Sequence, residues 1–336
     1  MAGSLGILAV AAALPEETRP AAELLREEGA SVSPALLERL GVQSVHLARG
    51  QTASALAVEA ARRALDAAGA DPASLDLIVD YSTLPQEMLA PAWNMSNKIQ
   101  AELGAKNAWT VGFSGAGASG LLLALDCARA VLGADEGSGT ALLLGADVTI
   151  PGNRVLNPEN PVAVMGDGAS AVVVSRAASK HRVIGMRLRT NGANHDAYRI
   201  EGGGMTNPLR EDLYRLCLDP ARAPEPKMFQ SLAALCGDLL ADSRLRRSDL
   251  QQVIYTDISN EDRESLRRIA EIAPGGMAVT GLVRRGHVQA SDLAFNLQQA
   301  LAGEVESPNG AAGGRGPLLL CSHGFGFTFG AALIER

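Results

Sequence analysis

The 336-residue chain has 37 acidic and 30 basic residues, a net charge of −7, and is 47% hydrophobic, 20% charged and 4% aromatic. That apolar share excludes disorder and supplies a large core, with length for one large α/β unit or two ordinary domains. The acidic balance and scarce aromatics exclude a general nucleic-acid binder, and no apolar run reaches the roughly 18 residues of a membrane span.

The opening Met1-Ala2-Gly3-Ser4-Leu5 has no basic signal-peptide start. Cys127, Cys217, Cys236 and Cys321 are dispersed without a CxxC pair, as expected of reduced thiols in a cytoplasmic protein. Leu5–Val10 reads as a first strand, Ser54–Ala68 as a helix, and Leu75–Ser82 as a buried strand. Ala108–Ser114 reads as a strand entering a tight turn. Gly115–Leu132 follows as the most apolar helix, with leucines all round its axis and so central and buried. Gly166-Asp167-Gly168-Ala169 then turns into the strand Ser170–Val174.

The same grammar begins again at Val183–Leu188, with a helix over Phe229–Asp242 and a strand over Leu250–Asp257. Gly324-Phe325-Gly326 turns into a final apolar strand ending at Ile334. Asn191–Asn207 and Glu304–Gly316 read as loops. The expected architecture is a duplicated α/β fold with parallel strands buried on both faces, joined near Ser175–Arg182. The expected units are 1–176, with the nucleophile turn, and 182–336, with Asp257 and His287.

The runs Thr52–Ala61, Leu103–Ala108, Gly166–Ala169 and Gly326–Leu333 resemble ketoacyl-ACP synthase III and its relatives in the thiolase fold, over nearly the whole chain. The resemblance implies a layered α-β-α-β-α fold and a homodimer. It also implies an acyl group delivered on CoA or on the phosphopantetheine of an acyl carrier protein, with no bound cofactor. Condensing members use Cys, His and Asn. Here the turn reads Gly112-Phe113-Ser114-Gly115-Ala116-Gly117, Asp257 occupies the His place, and His287 occupies the Asn place. Counting from the preceding strand puts Gly115 at the Cys position; counting back from the helix allows Ser114.

Serine needs a base to become nucleophilic, and a His held by an Asp supplies one. The expected set is therefore Ser114 as nucleophile, His287 as base and Asp257 as orienting carboxylate, in the chain order of α/β-hydrolases. Backbone N–H groups of Ser114, Gly115 and Phe325 are the expected oxyanion donors. Taken one by one, Ser114 also reads as a packing residue, Asp257 as a helix cap and His287 as a core histidine. An ionised Asp257 in place of a neutral donor opposes the enolate of a condensation by about 4 kcal/mol at 4 Å and a dielectric near 20. The resemblance therefore points to the subgroup of acyltransferases and starter-unit loaders in polyketide pathways. Starter-unit condensation and an inactive partner subunit are the alternatives.

Arg39 matches the family's adenine-holding Arg, while Ala35 stands where its stacking Trp is expected, which leans towards a carrier-protein donor. His323, beside the oxyanion turn, is a second expected substrate contact. Arg244, Arg246, Arg247, Arg263, Arg267 and Arg268 are read either as a basic rim for an acidic carrier protein or as solvated helix faces. No cluster has metal-ligand spacing, and Cys127 lies too far along its helix to be the nucleophile.

Overall fold

The duplication seen in the sequence becomes two sheets with two buried helices between them. The structure is a computed structural model that describes residues 5–84, 87–88, 93–134, 139–150, 152–219, 221–222, 225–303 and 316–335. The first part of the chain forms β1 (Gly6–Ala13), β2 (Thr18–Pro20), α1 (Ala21–Glu27), α2 (Pro34–Leu40), β3 (Ser44–His46) and α3 (Ala53–Ala68). It continues with β4 (Leu77–Asp80), α4 (Met95–Leu103), β5 (Trp109–Gly112), α5 (Gly120–Gly133), β6 (Thr140–Asp147), β7 (Val155–Leu156), β8 (Ala163–Val164) and β9 (Gly168–Ser175). The second part forms β10 (Val183–Thr190), β11 (Tyr198–Ile200), β12 (Leu216–Leu218), α6 (Glu225–Asp242), β13 (Gln252–Tyr255) and α7 (Asn260–Ile269). It ends with α8 (Leu282–Arg285), α9 (Asp292–Ala302), β14 (Leu318–Gly324) and β15 (Thr328–Ile334).

The first sheet runs β1-β9-β6-β4-β5 and the second β10-β15-β14-β13, with β4 parallel to both β5 and β6 and β13 parallel to β14. β9 pairs antiparallel with β1 and β6, and β15 with β10 and β14, so each sheet mixes both modes. The parallel strands expected from the sequence are therefore only part of each sheet, beside antiparallel β1, β9, β10 and β15. Among the described residues the second sheet has no strand matching β5; Met277 makes one parallel bridge to Val253 there. The strand-poor loop expected at Asn191–Asn207 contains β11, which pairs with β12. The loop expected at 304–316 lies, apart from Gly316, outside the described residues.

Burial follows from composition. Every residue of β4, β9 and β13 is buried, and their apolar stretches Leu77–Val79, Ala171–Val174 and Val253–Tyr255 suit strands covered on both faces. α5, with Leu121, Leu122 and Leu125 buried, packs with α9 into one core that joins both sheets through Leu77, Val79, Ile254 and Leu320. α3 and α4 cover the outer face of the first sheet. α6 and α7 cover the outer face of the second. The result is the five-layer α-β-α-β-α arrangement of a thiolase fold. α3 starts where Thr52 Oγ1 accepts the Ala55 N–H at 3.2 Å and stops at left-handed Gly69. The Asp-Pro and Arg-Ser-Asp connectors before β4 and β13 form matching 3-10 turns at Pro72–Ser74 and Arg247–Asp249.

Candidate active site

Two turns, each leading into a central helix, meet here. Before α5 the chain passes Gly115 (φ +93°) and the 3-10 turn Gly117–Ser119; before α9 it passes His287 and the 3-10 turn Gln289–Ser291. Gly117 (φ +52°) and Gln289 (φ +47°) occupy the same place in their turns, both in the left-handed region. In this register Gly115 and His287 are equivalent, each five residues before its helix. The two 3-10 turns contact one another, and the first also packs on Phe325–Phe327. A Cβ at Gly117 would come within 2.5 Å of the Phe325 N atom, so only glycine fits there.

The His287 turn is dense with hydrogen bonds. His287 Nδ1–H donates to Asp292 Oδ2 at 2.5 Å, and the Val288 N–H donates to Asp292 Oδ1 at 2.7 Å. Asp292 Oδ2 also accepts the Thr256 hydroxyl and the Asp257 N–H, each at 3.1 Å. Both side chains are buried. Burial is the largest influence on His287 and by itself lowers its pKa, but the charge and hydrogen bond of Asp292 outweigh it and leave the imidazole above its ordinary value.

Asp257 does not hold His287, as the sequence reading expected. Its Oδ2 accepts from Arg285 Nη2 at 3.1 Å, and the carboxylate on the histidine is Asp292, which that reading missed. The physical reason is that the 3-10 turn folds the start of α9 back under His287, whereas Asp257 faces the buried guanidinium of Arg285. Arg285 Nη2 also donates to Asn296 Oδ1 at 2.9 Å, and its guanidinium lies 4.8 Å from the Phe295 ring centre. Burial, then the charge of Asp292, pushes the Asp257 carboxyl up to about 6, against the pull of Arg285. Because Arg285 offsets that charge, the full repulsion of an enolate expected from an uncompensated Asp257 is also corrected downwards.

The nucleophile turn is sparse by contrast. Ser114 is exposed, and His287 bonds to Asp292 rather than to its hydroxyl. A Cβ built on Gly115 meets nothing within 4 Å, so a side chain there would point into open space. Phe325 lies against this turn through its backbone nitrogen.

The two expected substrate contacts are engaged elsewhere. Arg39 pairs with Glu261 at 2.7 Å and donates to the Pro161 carbonyl at 2.8 Å and Asn160 at 3.2 Å, tying α2 to α7. His323 is buried, with ring contacts to Phe229 and Tyr255 and its Nε2 3.5 Å from Asp262, as a core histidine packs. The expected basic rim is largely self-neutralised: Arg246 pairs with Asp249, Arg247 with Glu271, and Arg267 and Arg268 with Glu264, while Arg263 is mostly buried against the Ala278 carbonyl. Cys127 is half-buried; burial, then Asp126, raises its thiol pKa. Among the described residues no group of three or more His, Cys, Asp or Glu is placed to hold a metal, and no helix is long and apolar enough to cross a membrane.

Residues 114–192 match the family profile of 3-oxoacyl-[acyl-carrier-protein] synthase III. The chain is 28% identical over 338 residues to the β-ketoacyl-[acyl-carrier-protein] synthase III of Rhizorhabdus wittichii, covering 98% of each chain. It superposes on the acyltransferase ChlB3 with a TM-score of 0.80 and 23% identity, over 99% of this chain and 97% of that one. It superposes equally, TM-score 0.80 at 21% identity, on the priming β-ketosynthase of the R1128 polyketide pathway, over 99% and 96% of the two chains.

Proposed function

We propose, for a chain that is ketoacyl-ACP synthase III-like and has the thiolase fold, that it is an acyltransferase. It takes an acyl group from a carrier-protein or CoA thioester and hands it to a small or carrier-bound acceptor in polyketide-type metabolism. The observation that carries this reading is the buried His287–Asp292 pair, 2.5 Å apart on the turn that packs against the nucleophile turn. With Nδ1 held by Asp292, Nε2 is the nitrogen left to take a proton. It removes the Ser114 proton as Oγ attacks the thioester carbonyl. The developing oxyanion is met by the N–H groups of Gly115 and Phe325. Collapse breaks the C–S bond, and the imidazolium returns its proton to the departing thiol. The acceptor then loses its proton to His287 and attacks the acyl-serine ester; its C–O bond breaks, and the imidazolium gives that proton to the departing Oγ, restoring Ser114 and neutral His287. Asp292 stabilises the imidazolium in both halves and never needs to be protonated.

Condensation is disfavoured because two neutral donors are replaced by an ionisable carboxyl and by a histidine committed to a carboxylate. Support for a homodimer comes from β5, an edge strand with Trp109 about half exposed on it, an edge suited to a second copy. The carrier protein is the favoured donor, since Arg39 is occupied and no Trp stands at Ala35.

A second reading has its own observation. In the register shared by the two turns, Gly115 and not Ser114 is the counterpart of His287, which supports an inactive partner subunit. Intact mass after incubation with acyl-carrier protein or acyl-CoA separates the two. A stoichiometric acyl adduct lost in Ser114→Ala supports the transferase; no adduct from any donor supports the inactive subunit. Release of carbon dioxide from malonyl-carrier protein with a β-ketoacyl product would instead establish a condensing enzyme.

A further inference from the structure

One buried cation beside the His287 turn has no part in the proton transfers above. Arg285 ends α8 two residues before His287 and is 8% exposed. Its guanidinium is fixed from several sides. Nη2 donates to Asp257 Oδ2 at 3.1 Å and to Asn296 Oδ1 at 2.9 Å, and Cζ lies 4.8 Å from the Phe295 ring centre. Asn296 of α9 is itself held by β13, its Nδ2 donating to the Tyr255 carbonyl at 2.9 Å. A Cβ on Gly281 would come within 2.2 Å of Arg285 Cζ, so the guanidinium fills the space a side chain there would take.

Stability does not explain this placement. Taking both charges out of water is costly, and a buried pair recovers that cost only with excellent geometry. Here both contacts leave from Nη2 and Nε has no partner, so the two-bonded fork of the strongest Arg–carboxylate contacts is missing. What the pair does touch is the support of the base. The Asp257 N–H donates to Asp292 Oδ2, the oxygen that also accepts His287 Nδ1–H. Asp292 of α9, Asp262 of α7, Asp257 and Arg285 are the charged groups on this side of the imidazole. Arg263 of α7 faces Asp257, and His323 faces Asp262. Across the turn Asp147 of β6 accepts the Ala290 N–H, and Asp167, ahead of β9, is paired with Arg154. Burial lowers the His287 pKa, while Asp292, then Asp262 and Asp257, raise it. An unbalanced Asp257 would hold the proton on His287 more tightly and leave less of the free base.

We propose that Arg285 is a positioning residue for His287: it holds the Asp257 carboxylate and balances its charge, so that Asp292 governs the imidazole. This role rests on the reading of His287 as the transfer base.

The test follows the His287 imidazole by NMR of histidine-labelled protein through a pH titration, its signal assigned by its loss in His287→Gln. The pH profile of acyl loading and the melting temperature of each variant are measured beside it. Asp257→Asn leaves the Arg285 charge unbalanced and should lower the His287 midpoint by about one unit, with the loading midpoint moving alike. Asp257→Asn combined with Arg285→Met removes both charges and should bring the midpoint back to within about 0.3 units of the wild type. Arg285→Gln replaces Arg285→Met if that double variant does not fold. A merely structural role would lower the melting temperature or the rate and leave both midpoints in place. An unmoved His287 midpoint in folded Asp257→Asn, or a shift that persists in the double variant, would overturn the proposal. The expected NMR shifts in a protein that loads no acyl group would refute the transferase reading and still support the assignment of Arg285.

Discussion

The turn before α5 and the turn before α9 share a backbone and differ in everything attached to it. Both pass through a left-handed residue, Gly117 or Gln289, into a 3-10 turn and then a buried helix. The first carries Gly-Ala-Gly-Ala and leaves open space beside Gly115. The second carries His287, Gln289, Ser291 and Asp292, all buried and bonded into their surroundings. One turn is shaped to receive a group, the other to hold one still. Preorganised hydrogen bonds cost nothing at the moment of reaction, so the rigid turn suits the proposed base.

The largest effect that would break this contrast is at the sparse turn. Ser114→Ala should abolish acyl loading, read by intact mass, with no change in melting temperature because the side chain is exposed. Gly115→Cys should form a thioester in the Ser114→Ala background, since its Cβ meets nothing, at a strain cost of about 1–2 kcal/mol from the positive φ. Loading that survives Ser114→Ala unchanged would move the chemistry elsewhere.

At the dense turn, Asp292→Asn should slow loading by about 10⁴-fold, as when a triad Asp becomes Asn, whereas Asp257→Asn should cost about tenfold or less. The reverse order would return the orienting role to Asp257. Loading should also rise with pH as His287 loses its proton, with a midpoint above the ordinary histidine value.

Stability should follow a gentler pH trend. Asp257 and Asp147 are both pushed up to about 6, chiefly by burial, so the folded state binds more protons than the unfolded state between about pH 4 and 6. His287, also raised, contributes stability below its unfolded pKa that is lost as pH rises through its folded value. All three act in one direction, and the melting temperature should fall as pH rises from 4 through 7. Asp257→Asn should flatten the lower part of that curve in calorimetric scans. The smallest expected effect is from iodoacetamide, which should leave loading nearly intact because Cys236 and Cys321 are buried and the Cys127 thiol is raised.

Much of the scaffold was legible because duplication writes the same pattern twice: strand, helix and connector recur around β4 and β13. The mixed strand directions were not, since buried parallel and antiparallel strands carry the same apolar runs. His287 stood out by position within a Gly-His turn. Asp292 did not, because Ser-Asp at a helix start reads as ordinary favourable charge near the N-terminus. Its offset from His287 becomes meaningful only through the intervening 3-10 turn, which no residue pattern announces. Arg39 and His323 show the opposite failure: a plausible location cannot reveal that a side chain is already committed to Glu261 or to the Phe229–Tyr255 core.

The turns are also cross-braced between halves. Asp147 of β6 accepts the Ala290 N–H at 3.0 Å, and Ser291 Oγ donates to the Gly145 carbonyl at 2.8 Å. In the other direction Ser119 Oγ donates to the Thr328 carbonyl at 3.0 Å. Each half therefore finishes folding the other's helix entrance. Cut apart at the join, neither half would hold the partner groups of its own entrance, whereas in one chain that mutual scaffolding does not depend on concentration.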